Sequence, residues 1–114
     1  MISSERNKVI DDAGAVLYQA RYHITRLLPF DALYLLLEES PLGILYNNNN
    51  VTAISPTGEL RWKAEVLQSV SGAVDNPYRD LWIADGQLWA SNWIGWAVQL
   101  DPANGKVLQK VWTK

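Results

Sequence analysis

The side chains able to do chemistry are few and scattered along this 114-residue sequence. His23 is the single histidine, so a histidine-rich metal centre has no ligands, and a Ser-His-Asp arrangement would have to be assembled around this one ring. His23 falls on the polar row of an alternating stretch, where a solvated imidazole is the ordinary reading. Cysteine is absent, which removes disulfides, thiolate zinc sites and a cysteine nucleophile together. The carboxylates occur as Asp11-Asp12, Glu38-Glu39, and Asp75, Asp80 and Asp85. Neighbours along a strand point to opposite faces, so Glu38 and Glu39 cannot act as a glycosidase-type pair, and solvated edges and turns are expected for all of these groups. The segment Asp101 to Gly105 has a faint likeness to a calcium loop but lacks the succession of oxygen ligands and the closing glutamate, so a turn is expected. No catalytic residue, metal site or cofactor follows, and the expectation is a non-enzymatic protein.

The tryptophans are the strongest anomaly. There are six, and five of them, Trp82, Trp89, Trp93, Trp96 and Trp112, lie in the C-terminal third. Buried, each ring would remove roughly 150 to 250 Å² from water. Exposed, the same rings could stack on sugars or anchor a protein partner. Parity along a strand places Trp82 with Ala84, Trp89 with Ser91, and Trp96 with Val98 and Leu100 in an apolar row. Trp93 sits in the turn "SNWIG", where no strand face obliges it to point inward. Trp93, with Ile94 and Asn92, is therefore the expected partner contact.

These residues need a scaffold, and composition bounds it. The chain is long enough for one core. With 48% hydrophobic and 19% charged residues it is apolar enough to fold, and residues 1–114 are expected to form one globular domain. Ten basic residues against 12 acidic ones, without a basic block, leave nothing to track a phosphate backbone, so nucleic acid is not an expected partner. The N-terminus has no apolar leader core, and the longest apolar run, Ala32 to Leu37, is too short to span a bilayer, which points to a cytoplasmic protein without a membrane partner.

The dominant period is two. Val16, Tyr18, Ala20, Tyr22 and Ile24 alternate with Leu17, Gln19, Arg21, His23 and Thr25 as in a strand, although Leu17, Ala20, Ile24, Leu27 and Leu28 fit a helix as well. Pro29, Phe30 and Asp31 break the pattern before the buried strand "ALYLLLEE", which Ser40, Pro41 and Gly43 stop. A short strand is expected over Ile44 to Tyr46. Further strands are expected over Val51 to Ser55, Glu59 to Glu65, Leu81 to Ala84, Gln87 to Ser91, Trp96 to Leu100 and Lys106 to Trp112. Asp85-Gly86 has the chemistry of a type I′ hairpin turn, while Pro56-Thr57-Gly58 and Pro102 to Gly105 close two more hairpins.

Residues 47 to 62, "NNNNVTAISPTGELRW", are partly echoed by 91 to 112, and Pro56 and Pro102 stand 46 residues apart. That is a blade-like period. The expectation is an all-β fold of two blade-like antiparallel four-stranded meanders packed together, an incomplete propeller or a sandwich. The first half would span 15–65, a connection 66–79 and the second half 80–112. Asn47 to Asn50 would then form a turn, with their side chains serving local backbone groups.

The stretch "LWASNWIGWAVQLDPANGK" resembles the repeat of quinoprotein-type (PQQ-like) β-propellers through Leu88, Trp89, Asn92, Gly95, Leu100, Asp101, Gly105 and Lys106. Ala53, Ile54, Thr57, Gly58, Glu59 and Trp62 match the tail of the same pattern. The resemblance implies that Trp62 packs one blade against the next and that Gly58, Gly86, Gly95 and Gly105 shape turns. Gln109 stands where the second docking tryptophan would fall, and Ser55 replaces an aspartate. Two blades do not close a ring that takes at least about four, so no quinone cofactor is implied. Small bacterial proteins with similar repeat endings suggest an immunity or inhibitor protein that binds a protein partner such as a toxin, or that self-associates. Carbohydrate or small-ligand binding through exposed tryptophans is the alternative.

Overall fold

The computed structural model describes residues 2–39, 49–66, 77–92 and 95–113. Among them the fold is all-β, with no helix. Its strands are β1 (Ser3–Glu5), β2 (Lys8–Ile10), β3 (Val16–Gln19), β4 (Ile24–Phe30), β5 (Leu33–Glu38), β6 (Val51–Ile54), β7 (Leu60–Lys63), β8 (Tyr78–Ala84), β9 (Gln87–Asn92), β10 (Trp96–Leu100) and β11 (Val107–Trp112). They form antiparallel meanders in chain order: β1 to β3, β4 to β7, and β8 to β11. The two four-stranded sheets have the blade-like form expected of them, and the three-stranded N-terminal sheet is an addition that the sequence reading did not contain.

The middle sheet is covered on both faces. Leu35, Leu37, Val51, Ala53, Trp62 and Ala64 share a core with Tyr78, Leu81, Leu88, Ala90, Val98 and Leu100 of the C-terminal unit. Leu36 and Ile54, which point the other way, pack with Val9, Ala20 and Ile24 on the N-terminal side. A strand buried on both faces has no need of polar alternation, which is why β5 reads as an unbroken apolar run.

The structure corrects several boundaries. The alternating run from Val16 to Ile24 is not one strand: β3 belongs to the N-terminal sheet and β4 to the middle one, with Ala20 to His23 connecting them. Neither is it helical. Pro29 and Phe30 do not break a strand but end β4, and the two-residue hairpin loop is Asp31-Ala32, with Asp31 at φ 52°. Pro29 pairs with Tyr34 on β4, an edge strand of its sheet, where a missing N–H is tolerated. Residues Tyr78 and Arg79, placed in the connection 66–79, open β8. The strand expected over Ile44 to Tyr46 lies outside the described residues.

Asp85-Gly86 closes the β8–β9 hairpin with φ of 52° and 73°, both positive as a type I′ turn requires. A second kind of turn recurs in all three sheets. Ser55 Oγ accepts the N–H groups of Thr57 and Glu59 at 3.3 and 3.0 Å. Asp101 Oδ1 accepts that of Ala103 at 2.9 Å. Asp11 Oδ1 accepts those of Ala13 and Ala15, each at 2.9 Å. Each turn contains a glycine at positive φ, Gly14, Gly58 or Gly105. Serine takes the place of aspartate at Ser55 because the turn needs only one side-chain acceptor.

The seam between the two larger sheets is polar as well as apolar. Trp62 Nε1 donates to the Pro102 carbonyl at 2.8 Å, and its ring lies against Gly105, where a Cβ would collide with it. Glu65 N–H donates to the Gly105 carbonyl and Glu65 Oε1 accepts the Val107 N–H, both at 2.9 Å. Tyr78 Oη donates to the Glu65 carbonyl at 2.6 Å. Burial first, and the Glu65 charge second, push the Tyr78 phenol pKa well up, so it remains a neutral donor.

Gly105→Ala is therefore expected to cost about 2 to 3 kcal/mol, combining a left-handed backbone with overpacking against Trp62. Gly86→Ala, at a similar φ but with open space around it, should cost about 1 kcal/mol. Urea midpoints of the two variants provide the comparison.

Candidate functional site

Among the described residues no cluster of three or more His, Asp or Glu side chains could hold a metal ion. No described helix is long and apolar enough to cross a membrane. His23 is exposed in the β3–β4 connection. Glu38 and Glu39 do face differently, but Glu38 is not solvated: it is 3% exposed, and its Oε1 accepts the Tyr22 N–H at 3.0 Å. It fastens the β3–β4 connection to the end of β5.

Of the expected partner contacts, Trp93 and Ile94 lie outside the described residues. Asn92 is buried, and its Oδ1 accepts the N–H groups of Gly95 and Trp96, each at 3.0 Å. It closes a turn from within, so it offers no surface to a partner. Gly95, at φ 129°, is buried beside it.

The exposed apolar surface lies instead on β11 and around it. Leu108, Val111 and Trp112 are 55%, 45% and 49% exposed. β11 pairs only with β10, which makes it an edge of its sheet among the described residues. Its register shifts at Leu100 and Val107, leaving Leu108 as the extra residue of a bulge. Trp112 meets Trp96 edge-to-face at a centroid separation of 4.9 Å, and Lys110 Nζ lies 5.3 Å from the Trp96 centroid. That geometry fixes two rings and a cation at the end of the sheet.

On the face opposite to Trp96 and Trp112, which Val111 shares, the register aligns Trp82, Trp89, Gln99 and Gln109 across all four strands. Trp82 and Trp89 thus share one face, and that face is opposite to the core-facing Leu81, Leu88 and Ala90. A chain of amides runs beside the indoles: Gln109 Nε2 donates to Gln99 Oε1, and Gln99 Nε2 to Gln87 Oε1, each at 2.7 Å. Both indoles are half-buried. Strand parity places Trp82 with Ala84 and Trp89 with Ser91, but only the pairing of β8 with β9 shows that the two indoles adjoin. The terminal strand Lys106 to Trp112 is, from its sequence, a sheet edge expected to engage another chain, with its lysines discouraging promiscuous pairing.

The crystal structure of the computationally designed Ika8 protein is similar over 96% of this chain and 35% of that one, with a TM-score of 0.61 and 16% identity. That likeness concerns the fold alone, and the chain spans about a third of the length of that protein. No curated protein matches the chain. A family model matches residues 2–112, a span that takes in all three sheets: the chain belongs to the DUF7957 family, a domain of unknown function.

Proposed function

We propose that the protein is a non-enzymatic protein-interaction module acting in the cytoplasm, of the kind an immunity or inhibitor protein represents, and that its partner docks on the β11 end of the C-terminal sheet. The single observation carrying this reading is the edge strand β11, which exposes Leu108, Val111 and Trp112 along its length, with Trp112 on the Trp96 face and Val111 on the other. An edge with unpaired backbone groups and apolar side chains favours contact with another chain, and Lys106 and Lys110 limit indiscriminate pairing. The quinoprotein-type resemblance fits this proposal, because the turn seen in all three sheets recurs at Asp11, Ser55 and Asp101, 44 and 46 residues apart.

Val111→Glu and Trp112→Ala should each weaken binding of the partner purified from the native host by about thirtyfold, equivalent to about 2 kcal/mol at a central anchor. Folding stability should change by no more than about 0.5 kcal/mol in Val111→Glu and by about 1 to 2 kcal/mol in Trp112→Ala, which also loses the edge-to-face contact with Trp96. Unchanged affinity in both variants would remove the β11 surface from the interface. Sedimentation of the isolated chain distinguishes self-association from a different partner, since a monomer has a mass of 12.9 kDa.

Carbohydrate binding is the second reading, supported by the adjoining Trp82 and Trp89 with their glutamine chain. Flat indoles beside fixed amides suit a pyranose ring and its hydroxyls. A saturable oligosaccharide response lost in Trp89→Ala would favour it.

A further inference from the structure

Where the N-terminal sheet meets the middle one, an open cleft of about 550 Å³ is lined by Arg6, Asn7, Arg21, Tyr22, His23 and Glu39. We propose that this cleft binds a small oxyanion, a phosphate or carboxylate group, held by the Arg6 and Arg21 guanidiniums with His23 beside them. The site is remote in sequence from the β11 surface and does not depend on the function assigned there.

The lining residues come from three segments: the β1–β2 turn, the β3–β4 connection and the residue following β5. Hydrogen bonds between those segments hold each of them. Ala20 N–H donates to the Asn7 carbonyl at 2.7 Å, and Asn7 Nδ2 returns a bond to the Ala20 carbonyl at 2.9 Å. Ile24 N–H donates to the Arg6 carbonyl at 2.7 Å, and Glu39 N–H to the His23 carbonyl at 2.9 Å. The Tyr22 N–H is held by the buried Glu38 carboxylate at 3.0 Å. The backbone of the cleft is thus preorganised, and little ordering remains to be done when a ligand arrives.

Two details favour an anion. The chain carries a net charge of −2, yet two guanidiniums line this one cleft, and neither forms an ion pair with a described carboxylate. Arg21 lies over the Tyr22 ring at 5.2 Å, which orients its planar fork. Arg6 occupies the left-handed region at φ 56°, where glycine would be less strained. Glu39 disfavours ligands of high charge and leaves the cleft suited to a single oxyanion that carries a hydrogen-bond donor. The volume fits a small molecule.

The test is an amide-resolved NMR titration of the full chain with inorganic phosphate and, separately, lactate, at constant ionic strength. Saturable shifts confined to Arg6, Asn7, Arg21 to His23 and Glu39 are expected. Arg6→Gly should weaken binding about tenfold or more, the loss of charge-assisted hydrogen bonds, while the thermal midpoint is kept because glycine accepts that φ. Arg21→Gln should show a similar loss, and Glu39→Gln should tighten binding. Val111→Glu should leave the titration unchanged, which separates failure here from failure of the β11 surface. Linear shifts spread over the surface, or wild-type affinity in both arginine variants, would overturn the proposal.

Discussion

Trp62→Ala is expected to lower the free energy of unfolding by about 3 to 5 kcal/mol, the range for removing a buried aromatic ring from a core that cannot fully collapse. Trp62 is 8% exposed on β7, and besides the residues of its own sheet it packs against the other one. Its ring covers Gly105, and its indole N–H is satisfied by the Pro102 carbonyl at 2.8 Å. Alanine therefore removes apolar contact and also leaves a carbonyl at the seam without its donor. Trp62→Phe should retain most of the packing and cost about 1 to 2 kcal/mol, chiefly the hydrogen bond. Urea unfolding monitored by far-ultraviolet circular dichroism gives both values without relying on the deleted fluorophore. A loss below about 1 kcal/mol for Trp62→Ala would mean that the sheets are held together elsewhere.

Much of this architecture was legible. Asp85-Gly86, Pro56 to Gly58 and Pro102 to Gly105 carry their turn chemistry in the residues themselves, and β8 to β11 follow as a meander between such turns. The N-terminal sheet was not legible from periodicity. β1 and β2 are three residues each, too short for an alternating pattern to stand out, and only Asp11 and Gly14 signal the turn that follows them. The run Val16 to Ile24 misled because alternation continues across Ala20 to His23, where the chain leaves one sheet and enters the next. Both sheets bury residues of the same parity there, Ala20 and Ile24.

The site was less legible, for a related reason. Single-strand parity assigns a face but says nothing of what lies across the sheet, so Trp82 and Trp89 could not be placed together from their own strands. The cleft is a sharper case. Arg6, Arg21, His23 and Glu39 are unremarkable as surface residues in sequence, and they gain meaning only because the β1–β2 turn, the β3–β4 connection and the end of β5 converge. Asn92 illustrates the opposite error: an asparagine in a turn suggested surface, whereas two inward N–H groups required an acceptor.

Asn50 gives the second large expected effect and settles what the asparagine run does at its C-terminal end. Asn50 is 0% exposed. Its Nδ2 donates to the Glu38 carbonyl at 2.9 Å and to the Tyr78 carbonyl at 2.6 Å, while its Oδ1 accepts the Tyr78 N–H at 2.9 Å. One side chain thus joins the end of β5 to the start of β8, across the seam, rather than serving only its own turn. Asn50→Leu should cost about 3 to 5 kcal/mol, because three buried backbone groups lose partners at roughly 1 to 3 kcal/mol each and structural relaxation recovers part of that. Asn50→Asp separates hydrogen bonding from shape. Two carbonyls face the former amide nitrogen, so the carboxyl is stable there only when protonated, and its folded-state pKa must lie above the unfolded value of about 3.9. The aspartate variant should therefore be most stable below about pH 4 and lose stability as pH rises through the folded-state pKa. Unfolding midpoints at low and neutral pH, corrected by the wild-type difference, measure this directly. A variant equally stable at both would show that water, not the Glu38 and Tyr78 carbonyls, surrounds residue 50.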